Sequence, residues 1–162
     1  MPGWLIGLTP LDDVRWNWAD IGWSVAAVPP LLVVFFAARG LRDIVVKVIG
    51  RPLSDCTWYD LMLLAIVAGF SEELLFRGVL QPWIGRIHPW TGVVATNVIF
   101  GLMHAVTPAY AVIATGFGFY LSWLYAGPDG VNLLRPMITH AVYDYIAFLL
   151  VVREYRRGSE QP

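Results

Sequence analysis

Charge is scarce in this 162-residue chain: 14% of its residues are Asp, Glu, Lys or Arg, against about 25% in ordinary soluble domains. The net charge of −1 gives no support for nucleic-acid binding. Cysteine is nearly absent. Cys56 stands alone, so no intrachain disulfide can form, and no histidine lies near it in sequence to make it a nucleophile. The opening residues, Met1-Pro2-Gly3-Trp4, lack the basic n-region of a signal peptide. There is no internal repeat and no low-complexity segment. The zinc-hydrolase motif His-Glu-x-x-His does not occur. No Gly-x-Gly-Asp accompanies Tyr59-Asp60 or Tyr143-Asp144, and Ser71 is followed by Glu72-Glu73 in place of a glycine turn. These absences leave the His-Glu-x-x-His zinc, aspartyl and serine designs for buried hydrolysis without support.

Apolar residues fill the space. They make up 57% of the chain, with a mean hydropathy of +0.60, which predicts an integral membrane protein. The fold expected is an all-α polytopic transmembrane helix bundle of about five spans. Asp12, Asp13 and Arg15 with Trp16 and Trp18 suit a juxtamembrane segment, and the tryptophans and tyrosines read as interface anchors. An uncharged run from Ile21 to Ala38 is long enough to span, with a kink expected at Pro29-Pro30. Arg39, Arg42, Lys47 and Arg51 form the most basic loop, within which Leu41 to Ile49 suits a short interfacial helix. Further spans are expected from Thr57 to about Ile84, Thr91 to Ala105, Ala109 to Ala126, and Leu133 or Pro136 to Val152. Gly85–Pro89 breaks one helix, Gly127-Pro128-Asp129-Gly130 signals a turn, and Ala114 with Gly118 offers a small-residue face. The chain divides into an N-terminal membrane helix and basic loop (1–56), a membrane core (57–152) and a basic tail (153–162). The positive-inside rule puts the loop and the tail in the cytoplasm and the N-terminus outside.

Against this background, ionisable residues inside helices stand out, because each costs about 2.5–3.5 kcal/mol on insertion scales. Three clusters fall on three helices. Glu73 and Arg77 are four apart and share a face, while Glu72 points about 100° away. One carboxylate can therefore be neutralised by the arginine while the other faces a cavity. His104 ends Phe100-Gly101-Leu102-Met103-His104, and His140 and Asp144 share a face at i, i+4. Together they supply a base, an orienting acid and oxyanion donors, the parts that peptide hydrolysis needs. His88, in Arg86-Ile87-His88-Pro89, reads as a solvated loop residue.

The three clusters, Glu72-Glu73-x-x-x-Arg77, Phe100-x-x-x-His104 and His140-x-x-x-Asp144, resemble in order and spacing the pattern of the CPBP intramembrane proteases, also called the CaaX protease and bacteriocin-processing (Abi) family. The resemblance covers about 57–152. It implies that Glu72 activates a water with help from His104, that Arg77 holds Glu73 and keeps Glu72 aimed, and that His140 and Asp144 steady the oxyanion or orient the scissile carbonyl. The family often has Asn where this chain has Asp144, which favours a role for Asp144 in orienting His140 or binding a metal. The resemblance implies no obligatory cofactor. Were zinc bound, Glu72, His104, His140 and Asp144 would be its ligands.

For these groups to meet at one depth, the third span must end half-way and the last helix must begin near Val131. The expected activity is cleavage of a membrane-anchored protein or peptide, such as one with a hydrophobic C-terminal tail or a leader, in a bacterial inner membrane. The rival readings are a non-proteolytic immunity or binding protein on the same fold and a proton or ion carrier.

Overall fold

A computed structural model describes residues 7–159, and the expectations for Met1–Trp4 and for the end of the basic tail lie outside the described residues. Within that range the chain is helical, with no strand. The helices are α1 (Trp18–Ala26), α2 (Val28–Ala37), α3 (Arg39–Ser54), α4 (Trp58–Leu75), α5 (Gln81–Gly85), α6 (Pro89–Met103), α7 (Pro108–Ala126) and α8 (Leu134–Ser159).

The first apolar run is divided at Ala27, ahead of the proline pair rather than at it. Pro29 and Pro30 sit in the first turn of α2, where a missing N–H costs nothing. The basic loop is instead a full helix, longer than the expected Leu41 to Ile49. Its apolar stripe, Val45, Val46, Ile49 and Leu53, packs against Val151 and Val152 of α8, which supplies what an isolated amphipathic segment lacks. α4 opens on a capping box between Thr57 and Asp60, which accounts for Asp60 without chemistry. The expected Thr57–Ile84 rod is continuous but contains a π segment over Phe76–Leu80, where Gln81 N–H bonds Phe76 C=O. His88 is exposed and caps α6, its Nδ1 accepting from Trp90 N–H.

α8 starts at Leu134, so the earlier start near Val131 is not adopted. The side chain of Asn132 takes the Leu134 N–H at 3.1 Å and fixes that boundary. At the other end α8 runs through the basic tail to Ser159, held by Arg156 donating to Ser54 C=O and by a Glu154–Arg42 ion pair at 3.0 Å.

α4 and α8 form the central antiparallel pair. A Cβ placed on Gly69 would lie 2.7 Å from the backbone nitrogen of Ala141, so only glycine allows this approach. α6 and α7 form a second close pair, with Gly101 against Ala111 and Thr115. The N-terminal segment is fastened to the start of α8 and the end of α7: Asp20 meets Arg135 at 2.6 Å, Asn132 donates to Asp20, and Tyr125 O–H donates to Asp13.

The surface is apolar where a soluble protein would be polar. Leu63, Val67, Leu102, Val112 and Trp123 are exposed, while Glu73, Arg77, Asn97 and Thr96 are wholly buried. Two stretches, Trp18–Ala37 and Pro108–Ala126, are long and apolar enough to cross a membrane, and Pro89–Met103 is a shorter apolar helix. Among the described residues Trp16, Trp18, Trp58, Trp83 and Trp90 all point outward, as interface anchors do.

Candidate active site

The two adjacent glutamates are sent to different environments. Glu73 is fully buried and its Oε1 receives Arg77 Nη1 and His140 Nδ1, each at 2.9 Å. Beside Arg77 this carboxylate acts as acceptor, so the proton of the Glu73–His140 contact sits on Nδ1. Glu72 lies one residue earlier, about 100° around the helix. Its side chain is 30% exposed and lines a cavity, with Oε2 at 3.4 Å from His104 Nε2 and no direct hydrogen bond.

His104 caps the end of α6. Its Nδ1 is 2.8 Å from Phe100 C=O, which can only accept, so Nδ1 carries the hydrogen and Nε2 is left facing Glu72. The ring stacks on Phe100 at 4.3 Å. On α8, His140 Nε2 lies 3.5 Å from Asp144 Oδ2, and both residues line the cavity. His140 is wedged against Phe117, ring centres 5.2 Å apart. All six singled-out residues thus converge: Glu72, His104, His140 and Asp144 on the cavity, Glu73 and Arg77 in the wall behind it. α6 ends at Met103, just before His104.

Arg77 is the hub of that wall. Its Nη2 donates to Asn97 Oδ1 at 3.0 Å and to Gly118 C=O at 2.7 Å, and its guanidinium lies 4.9 Å from the Phe100 ring centre. Asn97 in turn donates to Val93 C=O and to Ser122 Oγ, and the Ser122 hydroxyl donates to Gln81. Asn97, Ser122 and Gln81 were not foreseen. The available signal was an asparagine within the otherwise apolar Thr91–Ala105, since a polar side chain at membrane depth needs a partner. Arg77 itself sits in the π segment, a local widening often found at functional sites.

The cavity has a volume of about 470 Å³, within the range of small-ligand sites. One end is polar, closed by Glu72, His104, His140 and Asp144. The remainder is lined mostly by apolar residues of α2, α3, α4, α7 and α8, with Arg42, Tyr110 and Tyr143 among them. Among the described residues no three His, Cys, Asp or Glu side chains are gathered as a metal-holding group.

The chain is similar to a probable conjugal transfer protein TraB of Sinorhizobium fredii, 28% identical over 116 residues that cover 66% of this chain and 28% of that protein. It is also similar to the uncharacterized protein YpbD of Bacillus subtilis, 32% identical over 89 residues, 53% of this chain and 42% of that one. The chain therefore spans less than half the length of these curated relatives. No solved structure matches it. Residues 54–146, more than half of the chain and the stretch that carries all three clusters, match the family model for type II CAAX prenyl endopeptidase Rce1-like proteins, and the chain belongs to that membrane-embedded family.

Proposed function

We propose that this chain is an intramembrane endopeptidase that cleaves a membrane-anchored protein or peptide with a water activated by Glu72. The observation that carries this reading is the division of labour between adjacent carboxylates: Glu73 is committed to Arg77 and His140, and Glu72 is left in the cavity wall beside His104. In the proposed reaction the Glu72 carboxylate and His104 Nε2 hold one water. Glu72 takes its proton as the oxygen attacks the scissile carbonyl carbon. The oxyanion is met by His140, whose Nε2 donates in its doubly protonated form, with Asp144 beside that nitrogen to orient the ring. Collapse breaks the C–N bond as Glu72 returns the proton to the leaving amine, giving a carboxylic acid and a free amine. No step needs a metal.

In this reading the basic helix α3 and the C-terminal end of α8 face the cytoplasm of a bacterial inner membrane and the N-terminus lies outside. Arg156 bonding Ser54 C=O supports it, since both basic segments then occupy one end of the bundle. The test compares peptide termini in membranes of host cells carrying the wild type or Glu72→Ala. New termini beside a hydrophobic segment, present only with the wild type, are the expected result. Matching termini from two folded, expressed proteins would instead leave a membrane binding or immunity protein as the reading.

A further inference from the structure

The cavity holds two hydroxyls that the proposed hydrolysis does not use. Most of the other polar side chains lining it are already committed. Arg42 is paired with Glu154, and His104 spends its Nδ1 hydrogen on Phe100 C=O and turns Nε2 to Glu72. Glu72 and Asp144, as carboxylates, accept and cannot donate. Tyr110 and Tyr143 remain, one from α7 and one from α8. From the sequence the tyrosines read as interface anchors, yet these two line the cavity. Among the described residues neither hydroxyl meets a hydrogen-bond partner, whereas Tyr120 donates to Ala27 C=O and Tyr125 to Asp13.

Local structure puts both rings at the polar end. Thr107 caps α7, its Oγ1 accepting Tyr110 N–H at 3.1 Å, which sets Tyr110 in the first turn, six residues after His104. Tyr143 is three residues after His140 and so shares its side of α8. Phe117 lies against both, its ring centre 5.2 Å from His140 and 5.0 Å from Tyr143. Asp144 is within electrostatic reach of both hydroxyls, and Tyr143 is within reach of Tyr110. Two neutral O–H donors from two helices therefore gather near His140 Nε2, beside a carboxylate whose charge has the sign of an oxyanion.

Resting on the protease reading above, we propose that Tyr110 and Tyr143 are catalytic residues whose hydroxyls donate hydrogen bonds to the oxyanion of the tetrahedral intermediate, alongside His140 Nε2. An unpaired hydroxyl in an apolar wall is unfavourable, and an arriving oxyanion pairs it. Donors fixed in a largely apolar cavity stabilise developing charge more than water does, because they need no reorganisation as the charge appears. They also offset the repulsion that Asp144 exerts on that charge. His140 alone would have to do so while its Nε2 is shared with Asp144.

The test is a binding measurement on the full chain in detergent, in a Glu72→Gln background so that this carboxylate does not repel an anion. The probes are two fluorescent tetrapeptide analogues of Ala, Val and Leu whose central peptide bond is replaced. One carries a phosphinate, tetrahedral and anionic like the intermediate, and the other a hydroxyethylene, tetrahedral and neutral. The phosphinate is expected to bind about tenfold or more tightly, the scale of a hydrogen bond to a charged group. Tyr110→Phe and Tyr143→Phe each reduce that preference and leave hydroxyethylene binding unchanged. Asp144→Asn in the double Phe variant restores part of it, because an amide donates where a carboxylate cannot. Binding of neither probe, equal binding of the two, an equal loss of both in the Phe variants, or a preference that survives the double variant overturns the proposal. In turnover the same Phe substitutions lower kcat by about 10²-fold, the scale of one lost oxyanion donor, with KM little changed. If the preference holds while the terminus comparison finds no cleavage, the anion site stands and the protease reading falls. Cleavage at the wild-type rate by the double Phe variant gives the converse.

Discussion

Two adjacent glutamates are expected to fail in different ways when each is replaced by glutamine. Glu73 is wholly buried and bonded at 2.9 Å to both Arg77 and His140. Glu73→Gln leaves the Arg77 guanidinium buried without its counter-charge, and removing one partner of a buried pair costs about 3–5 kcal/mol. That is a large share of a typical stability of about 5–15 kcal/mol. Glu72 is 30% exposed and approaches only His104, at 3.4 Å, so losing its charge costs about 0–1 kcal/mol, as for exposed pairs. SDS titration of each variant in mixed micelles measures the difference. Glu73→Gln should unfold at a clearly lower SDS fraction, while Glu72→Gln should overlay the wild type. In the turnover assay the order reverses: folded Glu72→Gln should lose about 10²–10⁴ in rate, the range for a positioned general base. Equal destabilisation by the two substitutions would refute the assignment of Glu73 to the frame and Glu72 to the chemistry. So would a folded Glu72→Gln that turns over normally.

Other perturbations follow from the same contacts. Gly69→Val should cost about 1–3 kcal/mol and lower turnover together, because its Cβ meets Ala141 backbone that no rotamer change relieves; Gly116→Val, with open space around it, is the matched control expected to leave SDS resistance and rate unchanged. His104→Gln should lower the rate by about 10²-fold or more with little change in SDS resistance, since its ring is one-third exposed and its loss leaves Glu72 without a partner for the water. Treating the purified chain with phenanthroline or EDTA should leave turnover within about twofold, and a loss reversed by added zinc would show that a metal, rather than Glu72 and His104 alone, activates the water.

The three charged clusters were legible because each follows from helix geometry within one turn. An i, i+4 spacing puts Glu73 on Arg77 and His140 near Asp144, and a single-residue step turns Glu72 away, whatever the tertiary fold. The helical class and most helix positions were legible from largely apolar runs. What escaped depends on partners far along the chain. The Asp20–Arg135 pair closes over 115 residues, and nothing local in either segment announces the other. α3 reads as a basic loop because its hydropathy is low, and it becomes a helix from Arg39 to Ser54 by packing on the far end of α8. That contact also continues α8 through residues read as a tail. The Glu73–His140 bond spans 67 residues, so the sequence suggested a neutralised glutamate without indicating that the same carboxylate also orients a histidine.

The buried arginine explains why the site needs α7, a helix that brings no charged group of its own to the cavity. Arg77 takes acceptors from α4, α6 and α7, through Glu73, Asn97 and the Gly118 carbonyl. Gly118 must be glycine here, since a Cβ would fall 2.7 Å from Asn97 Oδ1 and 3.3 Å from Arg77 Nη2. Ser122 and Gln81 then tie Asn97 to α7 and α5. A buried guanidinium held this way is poor evidence for stability, because an apolar set of the same volume can be as stable. Its effect is on position. With three helices fixed to one planar cation, Glu73 cannot rotate, and Glu72, one residue back on the same helix, keeps its direction. His140, donating to the same Glu73 oxygen, is registered to that frame from α8. The distance between Glu72 and His140 is therefore set from behind the cavity, by groups that do not line it. Exchanging Arg77 for a neutral residue would disturb aim before it disturbed chemistry.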